Sequence, residues 1–120
     1  MGIRKASYPS RQVVVSLLNM LEPVNIRSGE SVVVKPNISY HRNPHGMVVT
    51  DFRLIEVVLE WLKERTSKVT VVESDNRSGS ADYRAEALGL NGLLARMGFA
   101  FRNLSEENDL LTMNADGVTF

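Results

Sequence analysis

Both histidines of the chain lie in one polar stretch, YHRNPHG, at positions 41 and 45. Histidines four residues apart share a face of a helix, where their imidazoles can bind a metal ion. Pro44 and Gly46 are incompatible with a regular helix here. We therefore predict no metal site and favour surface exposure of His41 and His45, with general acid or base chemistry as the alternative.

Three further polar residues frame this stretch. The apolar run SVVV is followed by Lys35 and Asn37, and Thr50 precedes the next apolar periodic segment. Lys35 could bind a phosphate or carboxylate, or it could reach solvent or pair with Glu73. Asn37 could contribute to the same site or satisfy the backbone of the loop. Thr50 is a further ligand-binding candidate, and we also expect it to cap the following helix.

A second polar turn follows the next apolar run, KVTVVE, and contains Glu73, Ser74 and Asp75. Its carboxylates could hold a divalent cation or act as a base, although acidic residues at this position often only cap the next helix. Arg42 and Arg77 are candidate anion clamps, and both could instead be solvated. Ser74 is a ligand-binding candidate as well, because it lies with the two acids at the carboxyl end of the predicted strand.

The periodicity of apolar residues places these groups on a framework. It predicts, in order, a helix in YPSRQVVVSLLNMLEP, a strand in SVVVK, a helix with Thr50 as its N-cap that ends near ERTS, a strand in KVTVVE, one broken helix or two short ones around Gly89 and Gly92, and a strand in FAFRNL. Continuous β-branched runs indicate strands covered on both faces. The fold class is α/β: a three-layer sandwich with a mainly parallel sheet of at least three strands, Rossmann-like βαβαβ, preceded by an N-terminal helix.

The connection after the first strand is unusually long. Fifteen residues separate Lys35 from Asp51, whereas strand-to-helix connections commonly have about 2 to 6. In parallel sheets, ligands bind beyond the carboxyl ends of the strands, where loop amides and helix N-termini converge. The long loop and the acidic turn should therefore face one site.

Composition excludes several function classes. The chain has 120 residues, 14 basic and 14 acidic side chains and no cysteine. It therefore contains no ligand set for an iron-sulfur cluster and no disulfide, and we expect a cytoplasmic protein without a membrane span. Residues 1–53 hold seven basic side chains against three acidic ones. No dense basic stripe or known nucleic-acid module accompanies them, so we expect a small anion rather than a nucleic acid as partner.

One segment carries a family resemblance. VVVKPNISYHRNPHGMVVTDFRLIEVVLEWLKERTSKVTVVESDNRSG resembles the opening part of the uncharacterised domain family numbered 362, in which a strand ends in Lys-Pro-Asn, a loop leads to a Thr at a helix start, and the next strand ends in an acidic turn. The matching residues are Lys35, Pro36, Asn37 and Thr50. The resemblance implies an α/β fold, with no reaction attached. Some relatives carry ferredoxin-type cluster motifs, which this cysteine-free chain lacks.

Two hypotheses follow for the function. Residues 1–120 form a single α/β domain, either complete or the N-terminal part of a longer family domain. In the first hypothesis it binds a small anionic ligand at the carboxyl ends of its strands, with or without catalysis; cofactors and catalytic residues stay unassigned. In the second it is a non-catalytic interaction module that forms a homo-oligomer or docks a partner through an open sheet edge.

Overall fold

The computed structural model describes residues 10–20, 26–106, 114–115 and 118–119, with side chains described in the first two ranges. The elements are α1 (Arg11–Asn19), β1 (Ser31–Val34), α2 (Phe52–Lys63), β2 (Lys68–Glu73), α3 (Ala81–Leu88), α4 (Leu90–Met97), β3 (Ala100–Asn103), a 3-10 turn (Leu104–Glu106), β4 (Asn114–Ala115) and β5 (Val118–Thr119). The order of helices and strands is the one that the periodicity predicts.

The strands β1, β2 and β3 form one sheet in that order, and both pairings are parallel. Val33 lies opposite Thr70, and Thr70 lies opposite Ala100. The short strands β4 and β5 form a separate antiparallel pair. The predicted α/β class, the parallel sheet of three strands and the preceding helix are confirmed.

Helix α2 begins one residue later than predicted. Asp51 is its N-cap, and the Asp51 side chain accepts a hydrogen bond from the amide of Arg53. The prediction that Thr50 caps this helix is wrong, because the Thr50 hydroxyl accepts the amide of Asn37 instead. The Thr50 side chain therefore closes the loop and does not cap the helix.

A glycine divides the third helical unit. Gly89 adopts a left-handed conformation with φ of 82° and separates α3 from α4. Most residues resist that conformation because of their Cβ atom, so a glycine at this position ends a helix at little cost. The predicted break occurs at Gly89, whereas Gly92 lies inside α4.

The core lies between the sheet and the helices. Leu59 of α2, Val71 of β2 and Leu94 of α4 are buried in one cluster. The opposite face of the sheet differs from the prediction, because Val33 is 64% exposed there. Residues of α2 and α4 share one core with the same face of the sheet, so the third layer of the predicted sandwich is not among the described residues.

Within the ranges that the structure describes, none of the helices combines the length and apolar character needed to cross a membrane.

Candidate functional site

Parallel pairing brings the ends of β1 and β2 to one edge of the sheet, which we call the carboxyl rim. The ammonium nitrogen Nζ of Lys35 lies 3.3 Å from Oε1 of Glu73. The side chain of Glu73 is 7% exposed and that of Lys35 is 51% exposed. The positive charge of Lys35 is thus partly balanced by a buried acid, in agreement with the pairing alternative of the sequence analysis.

Glu73 anchors the start of the long loop as well. Its carboxylate accepts the amide of Ile38 at 3.4 Å and the amide of Ser74 at 2.9 Å. Burial raises the pKa of Glu73, but the hydrogen bonds from Ser74 and Ile38, together with Lys35, outweigh burial and hold that pKa below its ordinary value. Glu73 therefore stays ionised and fixes the loop to the end of β2.

The base of the loop is closed by its two ends. The amide of Asn37 donates to the Thr50 hydroxyl at 3.0 Å, and the amide of Thr50 donates to the Asn37 carbonyl at 2.8 Å. Ile38 and Val49 form an antiparallel bridge beside them. Residues 37–50 therefore form a loop that is closed at its base by Asn37 and Thr50.

Arg84 of α3 anchors the start of the long loop, and the sequence analysis did not predict this role. Arg84 is fully buried, and its guanidinium donates to the carbonyls of Ile38, Ser74 and Ser80. A planar guanidinium suits such a fork of acceptors better than an ammonium does. Position 84 falls at i+3 from Ala81 on the buried stripe of α3, and this spacing is the signal that could have identified it.

Asp75 belongs to a separate network at the end of β3. Its Oδ1 accepts the amide of Ala81 and the side-chain amide of Asn103, each at 2.8 Å, and the same Asn103 nitrogen contacts Asp82 at 2.9 Å. The hydrogen bonds from Ala81 and Asn103 hold the pKa of Asp75 below its usual value. These contacts agree with the alternative in which the acidic residues of this turn cap the next helix instead of binding a cation.

The two histidines have different surroundings. The His41 ring lies 4.2 Å from the Tyr40 ring and 5.7 Å from the Tyr83 ring, between centroids. Its Nδ1 atom is buried, and no hydrogen-bond partner for it occurs among the described residues. His45 is exposed, as the sequence analysis favoured for both histidines. The exposed guanidinium of Arg42 contacts the Tyr40 hydroxyl at 3.4 Å.

A pocket of about 420 Å³ opens at the base of the loop. It is lined by Asn37, Ser39, Met47, Val48, Val49 and Thr50. Of the candidates predicted from the sequence, Asn37 and Thr50 line this pocket. Lys35 and Glu73 pair on the rim beside the loop, whereas Asp75 belongs to the network around Asn103. Ser39, another hydrogen-bond donor of the long loop, lines the pocket as well.

The backbone beside Ser39 is fixed from the acidic turn. The side-chain amide of Asn76 donates to the Ser39 carbonyl at 3.1 Å.

In the described part of the chain, no group of three or more histidine, aspartate or glutamate side chains is placed to hold a metal ion. The chemistry available at the pocket is therefore that of hydroxyl and amide donors beside an apolar wall.

Comparison with known proteins gives one match. The family described as Domain of unknown function (DUF362) matches residues 32–119. No curated protein and no solved structure matches the chain. The matched region begins in β1 and includes the complete loop, the acidic turn and the residues of the pocket.

Proposed function

The chain belongs to the family described as Domain of unknown function (DUF362), and from that premise we propose that it binds a small carboxylate or phosphate at the carboxyl ends of β1 and β2. The observation that carries the proposal is the pocket that Asn37 and Thr50 share. Its volume of about 420 Å³ lies within the usual range for ligand sites. We also propose a cytoplasmic location, which the lack of cysteine supports.

The polar groups of the pocket are suited to an anion. Asn37 offers the two hydrogens of its side-chain amide, and Ser39 offers a hydroxyl. The Thr50 oxygen accepts the Asn37 amide, so its own hydrogen is directed elsewhere and can be donated. Three neutral donors on one wall can surround a carboxylate or a phosphate oxygen.

The apolar wall of the pocket favours a ligand with an aliphatic part. Met47 is 82% exposed and Val48 is 47% exposed, and both line the pocket. A ligand with a short aliphatic part would cover this apolar surface, and removing such surface from water is favourable. Within the anionic class, we therefore favour a short aliphatic carboxylate such as butyrate over inorganic phosphate.

Lys35 can act in one of two ways. Its ammonium is half exposed and lies against Glu73, so it can add positive potential near the pocket or simply hold the rim. Arg42 is exposed on the same loop and supplies a second positive charge. The proposal is limited to binding, because the described pocket side chains contain no nucleophile hydrogen-bonded to a base.

Thermal shift assays test the proposal. Butyrate, acetate and phosphate are titrated against chloride at constant ionic strength, with Asn37→Ala and Lys35→Ala beside the parent. The matched control is Asn91→Ala, which removes an amide on α4 that contacts Glu86. We expect butyrate to raise the melting temperature of the parent and the control, and this increment to be lost in Asn37→Ala.

The variants separate the roles of the pocket and the rim. If Lys35 supplies charge to the anion, Lys35→Ala reduces the butyrate increment; if it only holds Glu73, the variant melts earlier with an unchanged increment. Failure of all three anions to shift the parent, or an equal loss of the increment in Asn91→Ala, would refute the binding proposal.

A further inference from the structure

The part of the pocket wall that carries Ser39 is held from outside the long loop. The preceding residue, Ile38, is fixed at its amide by Glu73 and at its carbonyl by Arg84. The Ser39 carbonyl accepts a hydrogen bond from the side chain of Asn76. The described residues that line the pocket include Ser39 but not Asn76, so Asn76 lies behind this wall.

Two partners fix the orientation of the Asn76 side-chain amide. The backbone amide of Ser78 donates to its Oδ1 at 2.8 Å, and its Nδ2 donates to the Ser39 carbonyl at 3.1 Å. A backbone amide can only donate and a carbonyl can only accept, so turning the Asn76 amide over would lose both bonds. Position 76 therefore uses a donor and an acceptor on the same side chain.

The turn that carries Asn76 is tied to the rest of the fold. The backbones of Asn76 and Gly79 exchange two hydrogen bonds, at 3.2 and 3.1 Å. The preceding residue, Asp75, accepts the amide of Ala81 at the start of α3 and the side-chain amide of Asn103 at the end of β3. Asn76 is thus presented from a fixed base and not from a free loop.

Ser39 differs from the two other polar residues of the pocket in how it is held. Asn37 and Thr50 bond to each other at the base of the long loop. The contact of Ser39 with Asn76 instead joins two segments that are 37 residues apart. Loss of the Asn76 side chain would leave the loop base closed and would release Ser39.

We propose that Asn76 is a positioning residue of the anion pocket, an inference that rests on the proposed function. It holds the backbone of Ser39, so that the Ser39 hydroxyl stands at the pocket before the anion arrives. A donor that is already ordered binds without the entropic cost of ordering it. Asn76 itself does not touch the anion and acts through Ser39.

Two substitutions at this position separate the contact with Ser39 from the turn. Asn76→Ser keeps an oxygen that can accept the Ser78 amide, but the shorter side chain does not reach the Ser39 carbonyl. Asn76→Asp keeps the shape and the bond from Ser78, and it places an acceptor against that carbonyl. The serine variant adds no charge, so a change in its affinity for an anion is not caused by repulsion.

NMR titration with butyrate, followed at the Asn37 amide, measures the dissociation constant. We expect Asn76→Ser to raise this constant about two- to tenfold, as the loss of one neutral hydrogen bond allows, and Asn76→Asp to raise it further. Asn91→Ser is the matched control, because it removes an exposed amide that contacts Glu86 on the other side of Gly89. It should bind butyrate like the parent.

A double-mutant cycle with Ser39→Ala shows whether Asn76 acts through Ser39. Once the Ser39 hydroxyl is gone, Asn76→Ser should change the dissociation constant by less than about twofold. A general loosening of the loop would give the same penalty in both backgrounds. In the ligand-free protein, Asn76→Ser should shift the amide resonances of Ser39 and Tyr40 and leave that of Thr50 in place.

The outcomes distinguish this inference from the binding function. If butyrate does not bind the parent, the binding function fails and the claim about affinity fails with it. If butyrate binds the parent and Asn76→Ser equally well, the positioning role alone is overturned. The same conclusion follows if the penalty of Asn76→Ser is equal with and without the Ser39 hydroxyl. Circular dichroism melts verify that each variant is folded.

Discussion

The Nζ atom of Lys35 lies 3.3 Å from Oε1 of Glu73, across the ends of two neighbouring parallel strands. Glu73 also accepts a hydrogen bond from the amide of Ile38, a buried residue near the start of the long loop. The pair therefore joins the sheet edge to the loop that forms the pocket. It is a structural contact whose two residues also lie beside the proposed site.

Replacing Glu73 with glutamine should remove stability that depends on pH. The folded pKa of Glu73 is lower than its ordinary value, so the carboxylate stabilises the fold fully above the unfolded pKa near 4.3. That stabilisation is lost as the pH falls through the folded pKa. We expect Glu73→Gln to lower the free energy of unfolding by about 1 to 3 kcal/mol at pH 7.

Urea unfolding at pH 7 and near pH 3 measures this effect, with Glu64→Gln as the control. Glu64 has a 75% exposed side chain, and its replacement should change little at either pH. The difference between Glu73→Gln and the parent should shrink near pH 3. A difference that is constant between the two pH values would contradict the assigned role of the carboxylate.

Arg84→Met should be the most destabilising of the substitutions considered. It leaves the carbonyls of Ile38 and Ser74 without their guanidinium donor, whereas the Ser80 carbonyl still accepts the backbone amide of residue 84. Each buried unsatisfied group costs about 1 to 3 kcal/mol. We expect a loss of about 3 kcal/mol or more, measured by urea unfolding. Arg84→Lys should recover only part of it.

Arg96→Met is the control for this substitution, because Arg96 is exposed on α4. Loss of the Arg96 guanidinium should lower the free energy of unfolding by less than about 0.5 kcal/mol. Similar costs for Arg84→Met and Arg96→Met would show that the buried guanidinium does not hold the loop.

Much of the framework followed from periodicity, because strands and helices leave different apolar spacings. β1, β2 and α2 were predictable since their Val, Ile and Leu residues are dense and regular. Arg84 was not predicted, because a charged residue within a short helix resembles a solvated one. The i+3 spacing from Ala81 was the available signal for its burial. The local pattern does not reveal the carbonyls of Ile38 and Ser74 that it meets, because they belong to other segments.

Two glycines give opposite predictions for the same substitution. Gly89 has φ of 82°, a conformation that an alanine resists, so Gly89→Ala should cost about 1 kcal/mol. Gly92 is inside α4, and a Cβ atom there would lie 3.6 Å from the Arg96 side chain, which is ordinary contact. Gly92→Ala should therefore stabilise by up to about 1 kcal/mol.

Denaturant midpoints of the two alanine variants check this pair. They should move in opposite directions from the parent midpoint. A shift of both midpoints in one direction would contradict the division of this unit at Gly89.

Thr50→Val should destabilise the loop base. The change removes the oxygen that accepts the Asn37 amide, and the expected cost is about 1 to 2 kcal/mol. Thr50→Ser keeps an acceptor and should recover most of the loss. Thermal unfolding followed by circular dichroism provides the comparison.

Thr70→Val in β2, on the face of the sheet away from the helical core, is the matched control and should change stability by less than about 0.5 kcal/mol. If Thr50→Val is as neutral as Thr70→Val, the hydroxyl contact with Asn37 does not close the loop.

The candidate site was less predictable than the sheet. Parallel pairing correctly placed Lys35 near Glu73, because strand ends share an edge. The cap was assigned to Thr50 instead of Asp51, since both residues accept amides and sequence alone does not say which amide each one meets. The exposure of Val33 was also unexpected, because a branched apolar run does not reveal whether both faces are covered.

Amide chemical shifts during a butyrate titration test the central claim most directly. With uniformly labelled protein, the account predicts saturable shifts concentrated at Asn37, Ser39 and Thr50, and small shifts around Val33 in β1. The claim is contradicted if those three amides do not move, or if the largest shifts occur outside the pocket.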